Sequence, residues 1–266
     1  MRDSRFHPRR ILLSFVVVAL GSCAAVDRGP TPLTTEQIAA IVAAPDRTAA
    51  DKSNDVRRKP AAMLAFIGVR PRMRVLDVSA GGGYTSELLA RAVGPTGRVY
   101  GQSAPPRPDA SGQTPARSRS ATLLLERAKN PVVANLAPVA QPFNSPVPPE
   151  LASQSLDLVT LMFNYHDFGS MGVDRAALNK AIYAGLKPGG LYVIADHAGR
   201  AGTGISESGT LHRVEESFVV SEVTAAGFKL AERGDFLRNP NDPRDREEPD
   251  PPQPKDEFVL KFVKPG

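Results

Sequence analysis

The sequence predicts an α/β fold, in which a mostly parallel sheet of seven strands ends in an antiparallel hairpin. Three observations support this fold class. Apolar runs typical of strands alternate with stretches of helical periodicity along most of the chain. The first strand, at 72–79, leads into a glycine cluster and then a helical pattern. The last two strands have no helix between them, so they should pair antiparallel.

The predicted elements follow a polar N-terminal segment. Pro60 begins a short amphipathic helix that Gly68 ends, and this helix is expected to pack beside the first strand. Bounded apolar runs predict strands at 72–79, 97–102, near 132–134, and at 155–168, 191–197, 228–236 and 256–264. Helical periodicity predicts the intervening helices at 84–94, 120–129, 174–186 and 214–227. A turn is expected at "KPGG", residues 187–190, and a surface loop at 103–119.

The N-terminus has the composition of an export signal. Four arginines precede an apolar run from Ile11 to Leu20, which is too short to span a bilayer, and small residues follow. The run ends in "LGSC", which resembles the lipobox of bacterial lipoproteins and implies cleavage before Cys23 and a lipid on its thiol. An ordinary signal-peptidase site is the alternative. We predict a signal peptide at 1–22, a lipid-anchor tether at 23–45 and a domain at 46–266, at the periplasmic face of the cell envelope.

Composition and charge narrow the function classes. With 41% apolar residues among 266, the chain can bury a full core as one domain. Of its 33 basic and 28 acidic residues, four arginines and one aspartate lie in the first 22 positions, so the remainder carries a net charge of only +2. No nucleic-acid partner is therefore expected. The lone Cys23 also excludes an internal disulfide.

The turn after the first strand predicts a ligand site. Asp77 lies near the strand end, Gly81, Gly82 and Gly83 follow, and a helix begins at Tyr84. This order places backbone N–H groups and a helix N-terminus at the carboxyl edge of the sheet, where doubly wound sheets bind ligands. The spacing is not G-x-G-x-x-G, so a pyrophosphate cradle is not indicated. A turn that only packs tightly is the alternative.

The same residues resemble the first motif of class I S-adenosylmethionine-dependent methyltransferases, an acid followed by glycines two, four and six residues on. Asp77, Gly81 and Gly83 fit this pattern, whereas Ser79 stands in the first glycine position. "LKPGGLYVIAD" resembles the segment before and through that family's fifth strand. The resemblance covers about 60–263 and implies a Rossmann-like, doubly wound sheet. Segments such as "NYHDF", "DHAGRAGTG" and "FLRNPND" resemble an exported bacterial subgroup of predicted methyltransferases.

The resemblance also implies roles for individual residues. S-adenosylmethionine would be the cofactor, with its methionine amino group near Asp77 and the turn from Ser79 to Gly83 passing beneath the methionine. Tyr84 is expected to line this pocket. At the end of the second strand, Gln102 stands where the family has an acid for the ribose hydroxyls. A neutral amide can still bind two hydroxyls, although charge-assisted hydrogen bonds are roughly twice as strong as neutral ones.

Two histidine–acid pairs are predicted at the same edge. His166 and Asp167 follow the fourth strand, and Asp196 and His197 end the fifth, so the pairs should share one crevice. A histidine there could take a proton from a methyl acceptor, with an aspartate orienting it. The same groups could bind a divalent metal, although no H-x-x-x-H or H-E-x-x-H spacing supports a metal site and none is predicted. Each could also be structural, and His212 is expected to be a lid contact at most.

Together these observations predict an exported S-adenosylmethionine-dependent methyltransferase that acts on a small molecule. Ser79 and the neutral Gln102 leave two alternatives open. One is a non-catalytic envelope protein that binds a ligand on a methyltransferase scaffold, and the other is a metal-assisted hydrolase that uses the histidine–acid pairs. The fold alone does not distinguish these functions.

Overall fold

A seven-stranded sheet with helices on both faces forms the centre of the protein. The computed structural model of the chain describes residues 1, 3, 31–106, 117–249 and 252–266. The strands lie in the order β3-β2-β1-β4-β5-β7-β6, and only β7 runs antiparallel to its neighbours. They are β1 (Arg74–Val78), β2 (Arg98–Ser103), β3 (Leu136–Ala140), β4 (Leu156–Met162), β5 (Leu186–His197), β6 (Lys229–Gly234) and β7 (Glu257–Val263). The predicted fold class is confirmed.

Eight α-helices flank this sheet within the described residues. They are α1 (Thr35–Val42), α2 (Ala49–Arg58), α3 (Pro60–Ile67), α4 (Tyr84–Val93), α5 (Arg119–Arg127), α6 (Asp167–Ser170), α7 (Arg175–Gly185) and α8 (Glu216–Ala225). One apolar core lies between the sheet and α1, α3 and α4, and a second between the sheet and α7 and α8. In the described part of the chain, no helix is long and apolar enough to cross a membrane. Of the predicted signal peptide, only positions 1 and 3 are among the described residues, and Cys23 lies outside them.

The folded domain begins earlier than the sequence predicted. Thr34 and Gln37 form a capping box at the start of α1, and Ile38 is buried in the core. The backbone N–H of Leu33 also donates to the Val69 carbonyl at 3.0 Å. The predicted boundary at Asp46 was therefore too late, because the short apolar face of α1 was assigned to the tether.

The third strand was predicted a few residues too early. Residues Pro131–Val133 form a 3₁₀ turn, which Asn130 caps by accepting a hydrogen bond from the Val132 N–H. Val133 is fully buried, so its apolar character reflects burial of the turn and not a strand. The strand itself is β3, which pairs in parallel with β2.

The fourth and fifth strands also differ from the prediction. β4 ends at Met162, because Phe163 has a positive φ of 62° and turns the chain out of the sheet. The "NYHDF" segment forms a turn and the short α6 instead of strand. The expected "KPGG" turn is an irregularity in β5, where Leu186–Leu191 lies opposite Leu156–Leu158. Ending β4 early lets the polar residues after it turn back over the sheet edge.

Candidate functional site

The turn between β1 and α4 is held against the end of β2. The Ser79 N–H donates to the Gln102 side-chain oxygen at 2.8 Å, and the Ala80 N–H donates to the Gln102 carbonyl at 2.9 Å. Ser79, Gly81 and Gly83 have φ values of 53°, 56° and 83°. All three motif positions thus adopt the left-handed conformation that glycine tolerates best. Ser79 keeps the turn conformation at some backbone cost.

Gly81 and Gly83 have different surroundings. A Cβ built on Gly81 would meet no atom within 4 Å, and Gly81 borders the cleft above the turn. A Cβ on Gly83 would lie 2.8 Å from Leu124 Cδ1 and 3.0 Å from Arg127 Cδ. Gly83 therefore allows α5 to pack against the turn, whereas Gly81 leaves space open for a ligand.

Two adjoining cavities lie along the turn. One of about 670 Å³ lies between the turn, α2 and α4, and another of about 370 Å³ lies beside the end of β2. Both are bordered by Ser79 and Gly81, so together they form one elongated cleft at the carboxyl edge of β1 and β2. Volumes of about 300–1,000 Å³ are usual for small-molecule sites. The cleft thus has the size and the position of a ligand site in a doubly wound sheet.

Asp77 lies at the bottom of the larger cavity and is almost fully buried. Its two carboxylate oxygens accept hydrogen bonds from the Ser86 hydroxyl at 2.6 Å and the Thr160 hydroxyl at 2.7 Å. Burial raises the pKa of Asp77 to about 6, despite these hydrogen bonds and the positive charge of Arg58. A cationic ligand would stabilise the ionised form.

Ion pairs hold α2 over the cleft. Arg127 of α5 pairs with Asp51 of α2 at 2.8 Å and with Glu87 of α4, and its Nε donates to the Gly82 carbonyl. A hydrogen bond also joins α2 to the first residue of α4, since the Tyr84 hydroxyl donates to Asp55 at 2.6 Å. Burial and the hydrogen bond with Asp55 both raise the pKa of Tyr84, so it stays a neutral donor.

Arg58, the last residue of α2, borders the larger cavity without an ion-pair partner in the described part of the chain. Its buried Nε has no hydrogen-bond partner, and its guanidinium lies 3.9 Å from the centre of the Phe163 ring. Burial lowers the pKa of Arg58 to about 10, so it remains charged at neutral pH. A buried, unpaired guanidinium beside a cavity is suited to bind an anionic group such as a carboxylate.

Gln102 connects three parts of the site. Besides accepting from Ser79, its amide donates to the Gln141 carbonyl at 2.6 Å, and the side chain is fully buried. It borders the smaller cavity. In this structure Gln102 therefore positions the turn, and its capacity to bind a ribose is limited to one free N–H and one lone pair.

His166 lies between the carboxylates of Asp167, the first residue of α6, and Asp196, near the end of β5. Its Nδ1 is 2.6 Å from Asp196 Oδ1, its Nε2 is 3.1 Å from Asp167 Oδ1, and its backbone N–H donates to Asp196 at 2.7 Å. The two predicted pairs thus meet, as expected. Burial lowers the pKa of His166, but the charge of Asp196 and hydrogen bonds with both aspartates outweigh it and raise the pKa to about 9. Since both ring nitrogens face carboxylates, His166 is not free to act as a base.

Two further histidines complete this cluster. His212 approaches from the loop before α8, with its Nδ1 3.1 Å from Asp167 Oδ1 and a positive φ of 50°. The His197 ring centre lies 5.3 Å from that of His166. His197 Nδ1 is 3.0 Å from Glu257 but off the direction of a hydrogen bond, so it has no hydrogen-bond partner.

Phe163 and Asn164 separate the cluster from the cleft. The Phe163 ring lies between Arg58, at 3.9 Å, and His197, whose ring centre is 5.7 Å away. Asn164 borders the larger cavity, and its amide donates to Asp167 at 2.8 Å. Asn164 therefore contacts both the cleft and the histidine cluster.

Sequence reasoning missed three contributors to the site, Arg58, Arg127 and Thr160, and it gave His212 too small a role. The four residues come from four different parts of the fold, namely α2, α5, β4 and the loop before α8. For Arg58 a signal exists in "RRKP", where Pro60 ends one helix and begins another, so that the last turn of α2 is placed at a junction. His212 was considered only as a lid contact, and its contact with Asp167 depends on the fold of a long loop.

Comparison with known families gives a partial match. The model of the family "Protein-L-isoaspartate(D-aspartate) O-methyltransferase" matches residues 25–105, which run through α1 to β2. This segment contains the glycine turn and the end of β2 but not the histidine cluster. No curated protein is similar to this chain in sequence.

Solved structures of methyltransferases share the fold. A SAM-dependent methyltransferase from Aquifex aeolicus is 17% identical, with a TM-score of 0.58 over 87% of this chain and 99% of that one. An arsenic(III) S-adenosylmethionine methyltransferase from Chlamydomonas reinhardtii is 16% identical, with a TM-score of 0.55 over 90% and 75%. Aeropyrum pernix fibrillarin, solved with natively bound S-adenosyl-L-methionine, is 18% identical, with a TM-score of 0.50 over 77% and 74%. The chain has the fold of class I methyltransferases.

Proposed function

We propose that this protein is an S-adenosylmethionine-dependent methyltransferase. The observation that carries the proposal is the elongated cleft over the left-handed Ser79–Gly83 turn, with a buried carboxyl group at one point and an unpaired guanidinium at another. The fold and the partial family match are consistent with it.

The larger cavity fits the methionine part of this cofactor. Asp77 can accept from its ammonium group, and Arg58 can pair with its carboxylate, so the two ends of the amino acid meet opposite charges. Gly81 leaves room for close approach to the backbone. A negative and a positive group in one cavity suit a zwitterionic α-amino acid. A turn that served only for packing, or a site for an apolar ligand, would need neither group.

The smaller cavity would take the nucleoside. Its described walls include Ser103, Ser118 and Ser120, whose hydroxyls can bind ribose or adenine, and the aromatic ring of Phe143. Gln102 sets the position of this wall and carries no charge. When bound, the cofactor would supply an electrophilic methyl group, and Ser79 and Gly81, which border both cavities, would contact it.

The methyl acceptor is a small molecule in this proposal. His166, Asp167, Asp196 and His197 lie on the proposed acceptor side, and all four are at least partly buried, which favours a small acceptor. The family match ends at residue 105, before the strands that carry this side. An isoaspartyl acceptor is therefore not transferred to this chain.

The proposed site of action is the outer face of the cytoplasmic membrane or the periplasm, with Cys23 lipidated. Support comes from the basic flank, the apolar run and "LGSC" in the first 23 residues. The described domain begins near Leu33, which leaves about ten residues as a tether after Cys23.

The two glycines of the turn provide a matched test. Gly81→Ala and Gly83→Ala place the same methyl group on a left-handed backbone, so both lose some stability. Only Gly81→Ala adds the methyl to open cleft space, and it should weaken S-adenosylmethionine binding roughly ten-fold or more, from an overpacking cost of about 1–3 kcal/mol.

Gly83→Ala should instead lower the melting temperature more than Gly81→Ala, because the methyl would clash with Leu124. Its affinity for the cofactor, measured by calorimetry below the melting transition, should remain within a few-fold of wild type. Equal loss of affinity in both variants, or none in Gly81→Ala, would show that the turn does not contact the cofactor.

A further inference from the structure

The histidine cluster contains a donor set that neither the fold nor the proposed cofactor requires. One ligand atom from each of His166, Asp167 and His212 lies within 4.8 Å of the other two. His166 Nε2 and His212 Nδ1 are each 3.1 Å from the same Asp167 oxygen. Ligands about 2.1 Å from a metal ion lie roughly 3.0–3.4 Å apart at octahedral or tetrahedral angles. The two distances to Asp167 Oδ1 therefore already match those between ligands of one ion, and the two histidine nitrogens lie within 4.8 Å of each other.

The surroundings of His166 favour Nε2 as a metal ligand. Asp196 is fully buried, and its Oδ1 lies 2.6 Å from His166 Nδ1 while its Oδ2 accepts from the His166 backbone. A carboxylate on Nδ1 fixes the tautomer and the ring orientation, and such pairs usually stand behind metal-binding histidines. Asn164 in turn donates to the second oxygen of Asp167, which leaves Oδ1 directed at the two histidines.

The charge of the cluster also favours a cation. In the described part of the chain, neither Asp167 nor Asp196 has an ion pair with lysine or arginine, and histidines are their only basic partners.

His212 adopts a left-handed backbone conformation at φ 50°, which is uncommon for a residue other than glycine. Such backbone strain is often found at functional sites.

We propose that His166, Asp167 and His212 bind a divalent first-row transition metal ion, with Asp196 as the orienting residue. Two imidazoles and one carboxylate suit zinc or iron(II), whereas magnesium and calcium prefer oxygen ligands alone. The His212 side chain is 43% exposed, so solvent or a small molecule could reach a fourth position beside it. Three protein ligands with an open position are typical of catalytic and not structural metal sites.

The position of this metal suggests its use. Asp167 is joined to the cleft by Asn164, so an oxygen of a small acceptor could occupy the open position. A metal lowers the pKa of a bound hydroxyl or water, which loses its proton to solvent. This use rests on the proposed methyltransferase function, but the metal site itself does not.

The test measures metal binding without the cofactor. The full chain, prepared without a polyhistidine tag and stripped with a chelator, is titrated with Co²⁺ while its visible absorption is followed, and then with Zn²⁺. We expect one Co²⁺ per chain, displaced by one equivalent of Zn²⁺. His212→Ala changes a half-exposed side chain and should abolish stoichiometric binding with an unchanged circular dichroism spectrum, as should Asp167→Asn.

Two further variants separate ligands from neighbours. Asp196→Asn should weaken the metal affinity roughly 10–100-fold, the usual effect of losing an orienting partner. His197→Gln removes a nearby histidine outside the donor set and should retain one equivalent. Absence of stoichiometric binding in the wild type, or its persistence in both His212→Ala and Asp167→Asn, would overturn the proposal. Failure of the methyltransferase assignment would appear separately, as a metal-binding protein without affinity for S-adenosylmethionine.

Discussion

The carboxyl group of Asp77 is buried beneath the cleft, where two hydroxyl groups are its hydrogen-bond donors. Ionising it in the absence of a ligand is unfavourable, which is the reason for its pKa of about 6. A cofactor with an ammonium group and a sulfonium would offset this cost. The ionised Asp77 therefore lowers the stability of the ligand-free protein, and it would increase the affinity for a cationic ligand.

This trade gives a pH-dependent prediction. The pKa of Asp77 is about 6 in the folded state, whereas 3.8 is the ordinary value of a solvated aspartate, as in the unfolded chain. The folded protein therefore binds more protons between pH 4 and 6, and stability falls as pH rises through that window. Asp77→Asn removes this fall. Its free energy of unfolding relative to wild type should rise by on the order of 2 kcal/mol between pH 4 and pH 7.

Urea denaturation of both proteins at the two pH values measures this difference, since effects of other groups cancel between them. A stability difference that does not change with pH would mean that Asp77 is not desolvated as described. Asp77→Asn should also lose affinity for S-adenosylmethionine, because an amide cannot offer a charge to the ammonium group.

Single residues near the motif were predictable, while residues brought in by the fold were not. The sequence predicted the position of Asp77 and the glycines and the contact of His166 with Asp196. All of them lie near the ends of strands, and parallel strands share a carboxyl edge. Arg58 and His212 lie on a helix end and a loop, whose positions depend on tertiary packing. A sequence pattern also did not show that both nitrogens of His166 are engaged, and the base role expected for it does not fit this geometry.

At the scale of elements, the β1–α4 turn organises the site. It is anchored to β2 by Gln102, to α5 by the contact of Arg127 with Gly82, and to α4 by the Asp77–Ser86 hydrogen bond. Helices and strands with clear periodicity were predicted within a few residues. The errors lie where apolar residues are buried outside regular strands, as with Val133, or where a positive φ ends a strand, as at Phe163.

The α2 helix covers the larger cavity and is fixed by charges rather than by apolar contacts. Asp51 and Arg58 of α2 border the cleft. Asp51 pairs with Arg127 of α5, and Asp55 contacts Tyr84 of α4 and pairs with Arg47. Unlike these two aspartates, Arg58 has no ion-pair partner in the described part of the chain. In the sequence this segment was described only as polar, because the residues of α2 that border the cleft are determined by the fold.

At the scale of the whole molecule, the chain combines a class I methyltransferase fold with an N-terminus that predicts export. S-adenosylmethionine is made in the cytoplasm, so an exported enzyme requires a supply of cofactor across the membrane or export with it bound. If the protein is exported as proposed, the supply of cofactor outside the cytoplasm becomes a requirement of its activity.

The proposed anchor depends on one residue. Cys23→Ala removes the thiol that would carry the lipid, so a mature chain found with the membrane in the wild type should become soluble or remain unprocessed. Fractionation and intact mass measure both outcomes. Unchanged membrane association and mass in Cys23→Ala would argue against lipidation and favour an ordinary signal-peptidase site.

Binding of S-adenosylmethionine to the purified chain tests the central claim most directly. Calorimetry should show one site per chain in the wild type. Arg58→Gln should weaken it at least ten-fold, because a charged hydrogen bond is worth about 1.5–3 kcal/mol. Arg57→Gln, which changes the neighbouring arginine paired with Glu257, should leave the affinity within a few-fold. Absence of binding to the wild type at millimolar cofactor would contradict the assignment, and equal losses in the two arginine variants would contradict the site.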